Sequence, residues 1–209
     1  MRRRLLALSA MILLSCTAVL LAANVWSLGP YTYPSELDEN IWQTCDGSFV
    51  KMQELCEVPE WWLFFMSTQD VIDTAARYPR NVEMFLISSD SPISRLGHIQ
   101  DRPNIYRELQ SRPNVETELV TAYRNAPIPP ETNTPASSRL FYLEIILLQD
   151  IFWNELSGEE KLEVRDIAYQ KYLEKLDRGY SEGAAREFYT TANRLGKDFP
   201  LPPPDTPEE

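Results

Sequence analysis

Residues 139–156 read RLFYLEIILLQDIFWNEL. Leu140, Leu143, Ile146, Leu147 and their apolar neighbours through Leu156 are too dense for a single stripe. At 100° per residue they cover most of the helix circumference. A helix that is apolar all round is a buried one, so this stretch predicts the central helix of a domain, capped at its start by Ser138. Glu144, Gln149 and Asp150 argue against a membrane span here.

Downstream, Ser157-Gly158 breaks the chain, and residues 159–176 read as an amphipathic helix with Leu162, Tyr169, Leu173 and Leu176 in register. Glu159 and Glu160 in its first turn suit the helix dipole. Ser181 opens a further helix with Ala185, Phe188, Ala192 and Leu195 on one face, and Gly196 stops it. Residues 199–209 contain five prolines and are expected to form a disordered tail.

Upstream, residues 126–138 hold Pro127, Pro129, Pro130 and Pro135 and read as a loop. Before it, Arg102-Pro103-Asn104-Ile105 is echoed by Arg112-Pro113-Asn114-Val115 and more loosely by Tyr78-Pro79-Arg80-Asn81-Val82. Proline is tolerated in a first helical turn, where its missing N–H has no partner, so each copy reads as a helix start. Ser111 and Asp101 are candidate caps. Thr68 is expected to cap a helix reaching Tyr78, with Val71, Ile72, Ala75 and Ala76 inward. Just before it, Trp61-Trp62-Leu63-Phe64-Phe65-Met66 is too short to span a membrane. Its aromatic residues suit a core. The functional alternative makes Trp61, Trp62, Phe64 and Phe65 an interface with a membrane.

That alternative draws on the N-terminus. Arg2, Arg3 and Arg4 precede 22 residues, Leu5 to Trp26, without a charged side chain. Roughly 20 apolar residues span a bilayer as a helix, and leading arginines hold their end in the cytoplasm. Residues 1–28 therefore read as a transmembrane signal-anchor. Cleavage after a small residue such as Ala23 or Ser27 is a second reading, since signal peptides share this layout. Lipidation is the third: Leu13-Leu14-Ser15-Cys16 resembles a bacterial lipobox, with Cys16 as the acylated residue. However, Thr17 to Trp26 stays apolar where a lipoprotein usually turns polar.

Residues 29–58 read as a connector. Cys45 and Cys56 lie outside the anchor, and in an extracytoplasmic compartment they would pair as a disulfide, worth about 2–3 kcal/mol for so short a loop. The expected class is thus all-α: an N-terminal membrane or signal helix, a connector, a multi-helix domain over residues 59–198, and the tail.

The formal net charge is −11, or −14 once the three leading arginines are set aside. Such a surface repels phosphate backbones, so nucleic acid is not an expected partner. The sequence has no G-x-x-x-x-G-K-[ST], G-x-G-x-x-G or H-E-x-x-H, and a single histidine, His98. Phosphate cradles, helical zinc sites and His-based triads lack their residues, and no cofactor or metal is expected. The one carboxylate in an apolar setting is Glu144, since burial raises a carboxyl pKa as a general acid requires. Asp150 points about 120° away around the helix, so a second carboxylate would have to come from elsewhere, for example Asp70 or Asp73. The structural reading pairs Glu144 with Arg139, Arg165 or Arg186, because buried charges are normally paired.

The function expected on these grounds is protein binding, or a structural role in the cell envelope. The domain would be tethered to the membrane by one N-terminal span, face the periplasm or the exterior, and meet another envelope protein. The alternatives are an envelope hydrolase using Glu144, a secreted helical protein, and a lipoprotein.

Overall fold

The computed structural model describes residues 27–79, 81, 103–130, 135–197 and 199. The apolar run with Cys16, the turn with His98 and residues 200–209 lie outside them. The described residues form helices and no strand, which makes the domain all-α. No described helix is long and apolar enough to cross a membrane.

The chain enters through one helical turn, α1 (Pro34–Leu37), and a 3-10 helix, Glu39–Cys45. Then follow α2 (Phe49–Leu55), α3 (Glu60–Phe65) and α4 (Thr68–Ala76). After the undescribed stretch come α5 (Asn104–Ser111) and α6 (Val115–Asn125). The second half is α7 (Pro135–Leu147), α8 (Asp150–Trp153), α9 (Gly158–Asp177), α10 (Glu182–Ala185) and α11 (Glu187–Arg194).

Helix α7 is central. It packs on α4, α6, α8 and α11, while α4 also meets α5 and α6, and α9 lies along α6. Leu143, Ile146, Leu147 and Phe152 are buried, as the dense apolar pattern of 139–156 requires. Two boundaries differ from the sequence reading. The helix begins at Pro135, inside the expected loop, because proline fits a first turn. It also does not run through to Leu156. Gln149 adopts an extended backbone (φ −64°, ψ 140°) and its side chain turns back to donate to the Ile145 carbonyl at 3.0 Å. That bond occupies a carbonyl the helix would otherwise have used, and α8 starts afresh after it.

The three Pro-Asn copies diverge in role. Asn104 pairs with the Val58 backbone, donating to its carbonyl and accepting from its N–H at 2.5 and 3.1 Å. Asn114 takes a left-handed conformation (φ 55°) at the start of α6, which asparagine tolerates. Asn81 is buried and closes the end of α4, donating to Ala75 and Ala76 carbonyls at 3.0 and 3.2 Å. The cap at the start of α4 is Ser67 rather than Thr68, in a reciprocal arrangement with Asp70. Ser111 does not cap a following helix; its hydroxyl donates to the Glu108 carbonyl at 2.8 Å.

The expected disulfide is not present. Cys45 and Cys56 are both buried, and no bond joins them. Cys45 ends the 3-10 helix, and Cys56 follows α2 directly after its last residue, Leu55. Cys56 belongs to the main apolar core and Cys45 is buried outside it. Packing, not a covalent tie, fixes the connector: Tyr33 is fully enclosed and Val58 joins the same core.

Phe199, placed in the expected tail, is buried against Trp153, Phe188 and Tyr189 with ring centroids at 5.4, 5.1 and 6.3 Å. Phe199→Ala is expected to destabilise the domain by about 3–5 kcal/mol, and Leu147→Ala by about 2–5 kcal/mol. Urea unfolding followed by circular dichroism measures both, and a midpoint unchanged in the Phe199 variant would show that the docking is not energetically significant.

Candidate functional site

Two features of the chain carry chemistry or contact surface: the enclosed carboxylate on α7 and the aromatic face of α3.

Glu144 projects from the last turn of α7 and is 1% exposed. The arginines proposed as its partners lie elsewhere. Arg139 pairs with Asp73, Arg186 with Glu182 at 2.5 Å, and Arg165 lies over the Phe199 ring at 5.4 Å. Lysines take their place. Lys175 Nζ stands 4.0 Å from Glu144 Oε1, an ion pair without a hydrogen bond, and both side chains are buried. Lys171, also buried, donates to the Ala126 carbonyl at 2.5 Å and sits 5.4 Å from the Tyr123 ring. The Tyr123 hydroxyl completes the enclosure from α6, near enough to favour the charged carboxylate though it makes no regular hydrogen bond.

Sequence reasoning missed both lysines, because lysine on an amphipathic helix is read as solvated. The signal was available in the spacing. Val164, Ala168, Lys171 and Lys175 fall at helical intervals of four, three and four, and they form the buried stripe of α9 with Tyr172. Of the expected stripe, Tyr169, Leu173 and Leu176 are half-buried and pack against the edge of the core, whereas Leu162 is exposed. The long methylene stems of lysine make this possible, since they pack as apolar groups while the ammonium reaches a partner.

Burial pushes the Glu144 carboxyl up from 4.5 to about 7. Lys175, Lys171 and Tyr123 hold it down against that rise, and Glu187 adds to it. Burial likewise lowers the Lys171 ammonium, with Glu144 opposing. The carboxyl can therefore hold or release a proton near neutrality. A general acid must also reach solvent and substrate, and this one is closed in by three helices. Asp70 and Asp73, the other carboxylates considered, are engaged at α4, Asp70 with Ser67 and Asp73 with Arg77 and Arg139. Among the described residues no group of three or more His, Cys, Asp or Glu could hold a metal ion.

The second feature divides the aromatic run between the core expected for it and the solvent. Trp61, Phe64 and Phe65 are 59%, 69% and 42% exposed, whereas Leu63 and Met66 are buried and Trp62 is half-buried. Spacing at i, i+3 and i+4 puts the three exposed rings on one face of α3. Arg112 donates to the Leu63 and Met66 carbonyls at 2.7 and 2.9 Å, closing the helix end from beneath. Trp62 donates from Nε1 to the Gly29 carbonyl at 3.2 Å and meets Tyr31 edge-on at 5.5 Å.

No family model, curated protein or solved structure matches this chain.

The enclosed carboxyl makes stability depend on pH with a definite sign. The folded state keeps the Glu144 proton up to about 7, while the unfolded chain loses it near 4.5. Folded protein thus binds more protons across that window, and this contribution to stability is complete below 4.5 and lost as pH rises through 7. Its full size is about 3 kcal/mol at 1.4 kcal/mol per unit. Urea unfolding of the parent protein and Glu144→Gln from pH 4.5 to 8 should show a falling leg only in the parent; parallel profiles would mean the carboxyl titrates normally.

Proposed function

We propose that this chain is a membrane-anchored helical domain of the cell envelope that acts by binding another envelope protein or by holding structure there. The tether is the apolar run from Leu5 to Trp26 behind three arginines, which by the positive-inside bias would put the domain outside the cytoplasm. The observation that carries the reading is how near to that run the contacts of the domain reach. Ser27, the residue next to that run, already accepts a hydrogen bond from the Ser67 N–H at 3.3 Å and bonds to Asp70. A helix ending at Trp26 would pass directly into the domain without a long linker, which suits a fixed position at the membrane. The hydrolase alternative draws on the raised pKa of Glu144 alone, and requires the cover of Tyr123, Lys171 and Lys175 to open.

Membranes from the native host test the tether. The chain is expected to remain with them through alkaline carbonate extraction, to be digested by protease added from the outer side, and to retain the mass of the uncleaved sequence. In situ chemical cross-linking should then join the domain to a second envelope protein. Recovery of the chain in the soluble fraction, or protection from external protease, would overturn the reading.

A further inference from the structure

We infer that the aromatic face of α3 is a second membrane contact, resting in the interfacial layer of the same bilayer that the N-terminal run is proposed to span. The inference rests on that tether.

Its first support is the placement of the face. Trp61, Phe64 and Phe65 present a large apolar surface to solvent on a helix whose other side is well packed. Solvent-facing apolar patches of this kind mark contact sites. The second support is the route of the chain. Gly29 accepts from Trp62, Ser27 is held at Ser67 and Asp70 on the turn immediately after α3, and Leu28 between them is also exposed. The residues that directly follow the apolar run are thus bonded both to the aromatic helix and to the start of the next one. If the run leaves a bilayer at Trp26, α3 can lie no further from the lipid surface than a few residues of chain allow.

Chemistry then selects the occupant. Tryptophan and phenylalanine are suited to the headgroup boundary, where an amphipathic ring contacts both phases. The borders of α3 carry Glu57 and Glu60 and the flanking Asp70 is tied to serines, while Arg112 beneath the helix end is engaged by the Leu63 and Met66 carbonyls and by Glu108, so among the described residues α3 itself carries no cationic group for an anionic headgroup. A zwitterionic lipid surface fits this chemistry. The rigidity of the mount fits as well: Trp61 meets Trp62 at a tilt with centroids 5.2 Å apart, and the contacts continue edge-on through Tyr31, Tyr33 and Tyr78 to Tyr106 in the core, each successive pair of rings 5.3–5.9 Å apart.

The test uses the full chain in phosphatidylcholine vesicles, with and without bromine on the acyl chains as a short-range quencher of tryptophan. Trp26→Phe removes the fluorophore of the run itself. In that background the brominated lipid should quench part of the remaining emission, and adding Trp61→Phe should abolish most of that quenching while the far-ultraviolet spectrum stays the same. Vesicle flotation is read on the same samples. If the chain floats with the vesicles but brominated lipid leaves the Trp26→Phe emission untouched, the α3 contact is overturned and the tether stands. If the chain does not float, the tether fails and the contact with it. Cross-links joining residue 61 of two copies, at chain-to-lipid ratios where quenching is absent, would show that a second copy covers the face, and would overturn the inference.

Discussion

A single carboxylate inside an apolar helix sets the terms for the packing of this domain. Glu144 cannot be left alone in a low-dielectric interior, because an unpaired buried charge costs several kcal/mol. Three helices converge on it. Tyr123 comes from α6, Lys171 and Lys175 from α9, and the carboxyl itself from α7. Lys171 also ties α9 to the end of α6 through the Ala126 carbonyl. Hydrophobic contact is non-directional and would let α9 slide or rotate on α6; the polar cluster selects one register. The same cluster explains why the stripe through Val164 and Ala168 faces inward and Leu162 does not.

The other half of the domain is organised by tyrosine and by one arginine. Arg77, at the end of α4, reaches Glu36 at 2.8 Å, Asp73 at 3.0 Å and the Tyr31 carbonyl at 3.2 Å. Tyr31 in turn donates its N–H to Thr74 at 3.0 Å, and the buried Tyr33 ring stands edge-on to Tyr78. Residues 27–37 are therefore held on α4 by bonds along their length, although they contain only one helical turn. This clamp brings the beginning of the domain next to α3 and leaves the α3 rings facing outward. The position of the aromatic face thus follows from polar contacts, with the edge-on chain of rings providing stiffness beneath it.

Burial that the sequence does not signal recurs at three places with one cause. Lys171, Lys175 and Asn81 are polar side chains whose partners come from distant parts of the chain or from backbone carbonyls. Cys45 and Cys56 are the reverse case, since the sequence suggested a bond, but Cys56 is buried in the main core and Cys45 outside it. Phe199 lies beyond the glycine that stops α11, in a proline-rich context that reads as unstructured, yet one aromatic ring finds a pocket between Trp153 and Phe188. Each outcome depends on what lies across the gap in space, which no local pattern contains.

Periodicity and composition by themselves determined the all-helical class, the central place of residues 140–152, and the inward faces Val71-Ile72-Ala75-Ala76 and Ala185-Phe188-Ala192-Leu195. These follow from the 3.6-residue repeat acting on apolar side chains, a property of each segment alone. Tertiary structure decided which cation meets Glu144, where the central helix breaks at Gln149, and that Trp61, Phe64 and Phe65 face solvent. The aromatic run shows the reason most simply. Six consecutive apolar residues on a short helix cannot all face one way, and the side that is buried is the one on which Arg112 and Trp62 find carbonyls to bond.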